Sequence, residues 1–438
     1  MKTLRNTTLA SLILLLPLSA VAQQGLLQSW RDALASDPTY AAARYQLEAS
    51  QEKVPQARAS AWLPDVNGNA NLSYTETSLR APSGNTESER SSSGYGLSLS
   101  QPLWRPQALQ GLEQAKLGVI AAETLLNSTR QDLALRVAQA YFDVLVAQDT
   151  LEVIRAQKKA VSEQLASAQR NFEVGTSTIT DSNEAQARYD LVIAQEIAAE
   201  NDLQVKRTGL QQITGKPALD LLPLRRNIAL PAPVPAQQNE WVTTAETNNY
   251  AVRIAQTNAE IAQRETSKAK AGHLPSVDLV ASHNQTRKPQ TGVERSNNNS
   301  VGVQLTVPIF AGFATQARVR ETLALEQQAS QSLEAARRTA AQSARQSFTG
   351  VTSGLAQVRA LEAAEVSSQT SLDSTLLGYR VGVRVNVDVL NAQQQLFQTR
   401  RDLSKARYDT LLASLRLKAA TGALEEPDLQ AIDALLQR

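Results

Sequence analysis

Two kinds of periodicity alternate along the chain. Val66, Gly68, Ala70, Leu72 and Tyr74 interleave with Asn67, Asn69, Asn71 and Ser73. Successive side chains of a strand point to opposite sides, so this spacing predicts a strand with one apolar and one polar face. A second strand follows, with Tyr95, Leu97 and Leu99 set against Gly96, Ser98 and Ser100. Between them Glu76 to Ser93, rich in serine and charge, reads as a polar loop. Farther on, Val277, Leu279 and Ala281 predict a third strand, and Val301, Val303, Leu305 and Val307 against Gly302, Gln304 and Thr306 a fourth, around a polar loop from Asn284 to Asn299. Runs of about ten residues ended by Trp104 and Phe310 suit membrane strands with aromatic residues at the bilayer edge. A soluble sandwich shows the same alternation, so the pattern by itself leaves both open.

After each strand pair the period changes. Gln107 to about Phe172, Ile179 to Ile213, Thr315 to about Tyr379, and Asn386 to Ala420 hold no proline and almost no glycine, which predicts long helices. A run of about 65 residues extends ~100 Å at ~1.5 Å per residue. Val389, Leu396 and Leu403 recur by sevens, with Ala392 and Ala406 three residues after the first and third, and Leu133, Val137, Tyr141 and Val144 step by fours and threes. Both are coiled-coil-like seams whose small residues admit close approach. A plain bundle core and a wall of paired helices around a lumen both fit them.

The chain also matches itself. Phe172 and Tyr379, Val174 and Val381, Gly175 and Gly382, Asp181 and Asp388, and Gly215 and Gly422 all keep one offset. Upstream, Phe142 answers Phe348, Pro102 answers Pro308, Leu63-Pro64 answers Leu274-Pro275, and Tyr40-Ala41 answers Tyr250-Ala251 with slips of a few residues. An internal two-fold repeat is the reading. The first copy covers 23–215, with a helix, a strand pair at about 64–104 and long helices at about 107–213. The second covers 239–438, with strands at about 275–310 and helices at about 315–420. The segment 216–238, carrying Pro217, Pro223, Pro231, Pro233 and Pro235, is the connector.

Composition narrows the setting. Lys2 and Arg5, the apolar run Leu9 to Leu18 and Ala20-Val21-Ala22 have the order of a secretory signal, expected at 1–22. No other window is apolar over a membrane-spanning length. Cysteine is absent, which excludes thiolate metal sites and a cysteine nucleophile. With the leader removed, basic and acidic side chains balance, so nothing attracts nucleic acid. His273, ahead of a strand, and His283, at its end, are the only histidines. No phosphate-cradling glycine loop or nucleophile elbow accompanies them, and an enzyme is not expected. No cofactor is implied.

Phe172-Glu-Val-Gly-Thr-Ser-Thr-Ile-Thr-Asp181, Gly378-Tyr-Arg-Val-Gly-Val-Arg-Val-Asn-Val-Asp-Val-Leu390, Gly272-His-Leu-Pro-Ser-Val-Asp-Leu-Val280, Val307-Pro-Ile-Phe310 and Gln212-Ile-Thr-Gly215 resemble the TolC family of outer-membrane channel proteins, over essentially the whole chain beyond the leader. The resemblance implies an α+β membrane protein of a Gram-negative outer membrane. In it, a homotrimer shares one transmembrane β-barrel, four strands per subunit, continuing into a long periplasmic α-helical barrel of coiled-coil hairpins. It further implies a passive exit duct in efflux or type I secretion, docking with a periplasmic adaptor protein and an inner-membrane ABC or proton-driven transporter. Four strands alone would leave edge amides unsatisfied in lipid, so strands from several subunits are physically required.

Gly175 and Gly382 break helical pairs and read as hairpin turns; in the resembled family these turns form the periplasmic tip. Tyr379 and Arg384 match the family's positions that bond to a neighbouring hairpin, and Thr180 and Asp181 match the receiving side. Asp388 matches a residue lining the constriction, where three subunits present a carboxylate ring that favours cations. The pattern's second aspartate is replaced by Asn391, which lowers the charge of that ring. A periplasmic adaptor, with one hairpin inside a split β domain, and a structural coiled coil are the rival readings. Neither accounts for two strand pairs. The resembled family serves both secreted proteins and small toxic compounds.

Overall fold

The computed structural model describes residues 24–218, 221–225, 228–290 and 292–436; the leader expected at 1–22 lies outside the described residues. Asp37 and Pro38 divide the opening helical stretch. α1 (Leu26–Ser36) ends there and α2 (Pro38–Trp62) begins with proline in its first turn, where the missing N–H has no intrahelical partner to lose. The Asp37 carboxylate accepts from the Tyr40 N–H at 2.8 Å and caps α2. The chain continues through β1 (Asp65–Ala81), β2 (Gly84–Trp104), α3 (Pro106–Glu173) and α4 (Ile179–Thr214). Beyond the connector, α5 (Gln238–Asn248) and α6 (Tyr250–Lys270) lead to β3 (Ser276–Gln290), β4 (Val293–Thr306), α7 (Ala314–Arg380), α8 (Asn386–Ala420) and a short α9 (Glu426–Asp433). Where one helix is expected ahead of each strand pair there are two, split at Asp37 and at Asn249, whose side chain caps α6 through the Ala251 N–H at 2.9 Å.

The strands form one antiparallel sheet in the order β1-β2-β3-β4. Its register aligns Val66 with Leu99, Leu99 with Ala281 and Ala281 with Val301, so the apolar positions of all four strands share one face. The opposite face carries Asn67, Asn69, Asn71, Ser98 and Ser282, with hydroxyl pairs Ser73–Ser92 at 2.7 Å and Ser282–Ser300 at 2.8 Å. The apolar band slants across the strands. On β1 it covers Val66 to Tyr74, whereas on β4 it starts at Val301 and runs past the strand end to Ile309, which is 93% exposed. The outer edges of β1 and β4 have no partner strand among the described residues.

Three expectations change here. The stretches 76–93 and 284–299 are mainly strand, because β1 and β2 pair continuously to the tight turn between Ala81 and Gly84 and β3 pairs with β4 to Gln290 and Val293. Backbone pairing holds serine, threonine and asparagine extended as readily as apolar residues. Phe310 does not end a strand: β4 stops at Thr306, and Phe310 packs edge-on against Phe313 with ring centroids 5.4 Å apart. His283 is inside β3, on its apolar face, with its ring 6.1 Å from that of Tyr95.

The helices run away from the sheet. α3, 68 residues long, extends ~100 Å; α2 and α6 pack on it nearer the sheet, and α4 and α8 toward its far end, while α8 also pairs with α7. The seams read from the sequence are buried: Leu133, Val137, Tyr141 and Val144 are 0% exposed, and Val389, Leu396 and Leu403 face α7. The largest core sits midway, where Leu26, Trp30, Leu222 and Leu429 close around α3. There the Tyr141 hydroxyl donates to the Leu222 carbonyl at 2.9 Å. Among the described residues no helix is long and apolar enough to cross a membrane.

Candidate functional site

The predicted gating residues gather at the end of the helices farthest from the sheet. Both reversals there turn on a glycine in the left-handed region, Gly175 at φ +78° and Gly382 at φ +77°, where a β-carbon is strained. The Thr176 N–H bonds back to the Asn171 carbonyl at 2.8 Å and the Val383 N–H to Gly378 at 2.9 Å, ending α3 and α7 in the same manner. Gly175 thus lies at the reversal between α3 and α4, and Gly382 at that between α7 and α8.

Asp181 starts α4 in a capping box with Thr178. Its Oδ2 accepts from the Ser177 hydroxyl at 2.7 Å, the Thr178 hydroxyl at 2.8 Å and the Thr178 N–H at 3.1 Å. The Ser177 hydroxyl is the strongest influence holding this carboxyl below its usual range, with Thr178 adding to it against the opposing effect of partial burial. Asp181 is therefore an anion at neutral pH. Thr180, beside it, is exposed.

The second hairpin supplies the other groups. Arg384, 60% exposed, pairs within its own chain with Asp388 at 3.6 Å. The Asp388 Oδ2 also accepts from the Val385 N–H at 3.5 Å, at the start of α8. Tyr379 meets the first hairpin: its hydroxyl accepts from Asn171 Nδ2 at 3.2 Å. Asn391, one turn beyond Asp388, is held by α4, its Oδ1 accepting from Arg188 at 3.0 Å while the same guanidinium donates to Gln394 at 2.6 Å. The neutral amide at 391 thus has a cation as its neighbour.

Asn386 was not singled out from the sequence. It is 1% exposed, accepts from Gln164 Nε2 of α3 at 2.5 Å and donates to the Asp181 carbonyl of α4 at 3.0 Å. One buried amide thus joins three helices just above the tips. A signal existed, since Asn386 lies three residues before the seam residue Val389, and a buried seam asparagine fixes register at some cost in stability.

Within the subunit the tip is held by polar contacts and an ion pair. No group of His, Asp and Glu suited to a metal ion occurs among the described residues. Long helices thus run from a sheet with one apolar face, whose outer edges have no partner strand among the described residues. The sequence model for outer membrane efflux protein matches residues 30–216 and 241–423. The chain belongs to the outer membrane efflux protein family.

Relatives include the outer membrane protein TolC of Vibrio cholerae, 34% identical over 96% of this chain and 95% of that one. The alkaline protease secretion protein AprF of Pseudomonas aeruginosa is 33% identical over 99% of this chain and 92% of that one. Among solved structures, the outer membrane protein VceC of Vibrio cholerae superposes with a TM-score of 0.78 at 18% identity, over 91% of this chain and 96% of that one, which gives the same fold. As a family member the chain is an outer-membrane channel protein of efflux and secretion systems.

Proposed function

We propose that the chain is one subunit of a homotrimeric exit duct whose four strands contribute a third of a shared transmembrane barrel and whose hairpins form a periplasmic tunnel. The observation that carries this reading is the sheet itself. Its apolar residues share one face, its asparagines and serines the other, and among the described residues the outer edges of β1 and β4 have no partner strand. Unpaired edge amides cost several kcal/mol each in hydrocarbon, and pairing β4 of one subunit with β1 of the next removes them. The slant of the apolar band supports tilted strands, as barrel closure requires. The internal two-fold repeat is part of the same proposal: two hairpins per subunit give six around the tunnel.

Passage through the duct is passive, and the energy comes from an inner-membrane ABC or proton-driven transporter docked through a periplasmic adaptor. The resting tip is closed by links between hairpins of neighbouring subunits. Arg384, largely in solvent, reaches the Thr180–Asp181 turn of a neighbouring hairpin, where the ionised carboxylate makes the bond charge-assisted. Three Asp388 carboxylates form the constriction, and Asn391, neutral and beside Arg188, adds no negative charge to it.

Single-channel recording of the full-length protein in a planar lipid bilayer tests this. Discrete, cation-preferring openings are the expected result; a protein that never inserts overturns the duct.

A further inference from the structure

We propose that the apolar face of the sheet binds a phosphorylated glycolipid of the outer leaflet, with Arg287 and Arg295 taking the phosphate and a groove beside Tyr95 taking an acyl chain. This rests on the outer-membrane reading above, in which the strand turns farthest from the helices face outward from the cell.

Arg287 and Arg295 are directly opposite each other in the β3–β4 ladder and on the same face as Ala281 and Val301. Like charges at paired positions repel. Both are exposed, and among the described residues neither meets a carboxylate. The nearest acids on this face, the paired Glu76 and Glu89, lie two rungs farther along β1 and β2, ~13 Å at ~3.3 Å per residue. Two guanidiniums held side by side without an anion of the protein are a fork for a phosphate.

The chemistry between this pair and the membrane is graded. Proceeding along β3 and β4 from the apolar rung of Ala281 and Val301, the same face presents His283 with Asn299, then Gln285 with Asn297, then the arginines. Apolar, hydrogen-bonding and cationic rungs follow one another over ~20 Å of strand. A strand tilt of ~40° makes that ~15 Å of height. The hydrogen-bonding rung is ordered, since the Tyr95 hydroxyl donates to Gln285 Oε1 at 2.6 Å.

A groove of about 580 Å³ opens on this face. Ala70, Leu72 and Tyr95 form its apolar side, and Ser93, Gln285 and Arg287 its polar end. One depression therefore offers a hydrocarbon surface running into a cation, which matches a glycolipid and not a free anion.

The test uses full-length protein in detergent, with bis-phosphorylated lipid A, the same glycolipid stripped of phosphate, and inorganic phosphate as probes, read by native mass spectrometry. Wild type should bind the phosphorylated glycolipid at least about tenfold more tightly than the stripped one, the difference two charge-assisted contacts supply. The pair R287Q/R295Q should lose that preference, and R287K/R295K should keep most of it. Equal binding of both glycolipids, or a preference untouched in R287Q/R295Q, overturns the site. Competition by inorganic phosphate alone overturns the glycolipid assignment. Bilayer recording on the same preparations separates the two proposals: wild type that inserts but shows no preference sinks this site only, whereas wild type that never inserts sinks the membrane reading and this site with it.

Discussion

Replacing Asn386 by alanine removes the hydrogen bonds to Gln164 and to the Asp181 carbonyl and leaves the buried Gln164 amide without its acceptor. A stranded buried donor costs about 1–3 kcal/mol. The Asp181 carbonyl keeps its place in the first turn of α4, so its loss adds little, and a total of ~1–3 kcal/mol per subunit follows. If this junction is made in the closed tip and broken in the open one, that energy moves the closed-to-open equilibrium ~5- to 150-fold, at about 1.4 kcal/mol per factor of ten. The assay is closed-state conductance in planar bilayers, with thermal melting in parallel. Higher resting conductance with a modest loss of melting temperature is expected. A lower melting temperature with unchanged conductance would show that Asn386 only packs the shaft, and no change in either would refute the energy assigned to the junction.

Arg384→Ser should raise resting conductance, because each subunit loses its charged link at the tip; an unchanged conductance removes Arg384 from gating. Asp388→Asn should abolish most of the preference for cations over anions in reversal-potential measurements, since Asn391 carries no charge to replace it; intact selectivity would place the constriction elsewhere. Asp37 predicts an acid limit to stability. Burial raises its pKa, but Arg136, Thr39 and the Tyr40 N–H together outweigh it and hold the carboxyl at about 2 against an ordinary 3.8, with Arg136 at 3.1 Å. A depressed carboxyl stabilises the fold fully above its unfolded value, so ~2 kcal/mol should be present above pH ~4 and disappear as pH falls toward ~2. Denaturant melts of wild type and Asp37→Asn across that range should converge at low pH; parallel curves would contradict the assignment.

Much of this architecture is local and was therefore open to reading along the chain. Helices from Pro106 to Glu173 and Ala314 to Arg380 follow from long stretches without breakers, and their reversals at Gly175 and Gly382 need a backbone only glycine adopts freely. Val389, Leu396 and Leu403 declare their buried side by spacing alone. Other features exist only because distant segments meet. Thr77, Ser88 and Asn297 look like loop residues until a partner strand supplies their ladder bonds, which no local pattern encodes. Asn386 reads as a polar residue beside a turn, and becomes a buried junction because α3 and α4 close over it. Likewise Arg188 gives no sign of facing Asn391 until α4 lies against α8. Sequence thus determined where the backbone can be straight, turned or amphipathic, since those preferences are settled within a few residues. Tertiary structure alone decided which polar groups lose water, because burial depends on what packs from elsewhere in the chain.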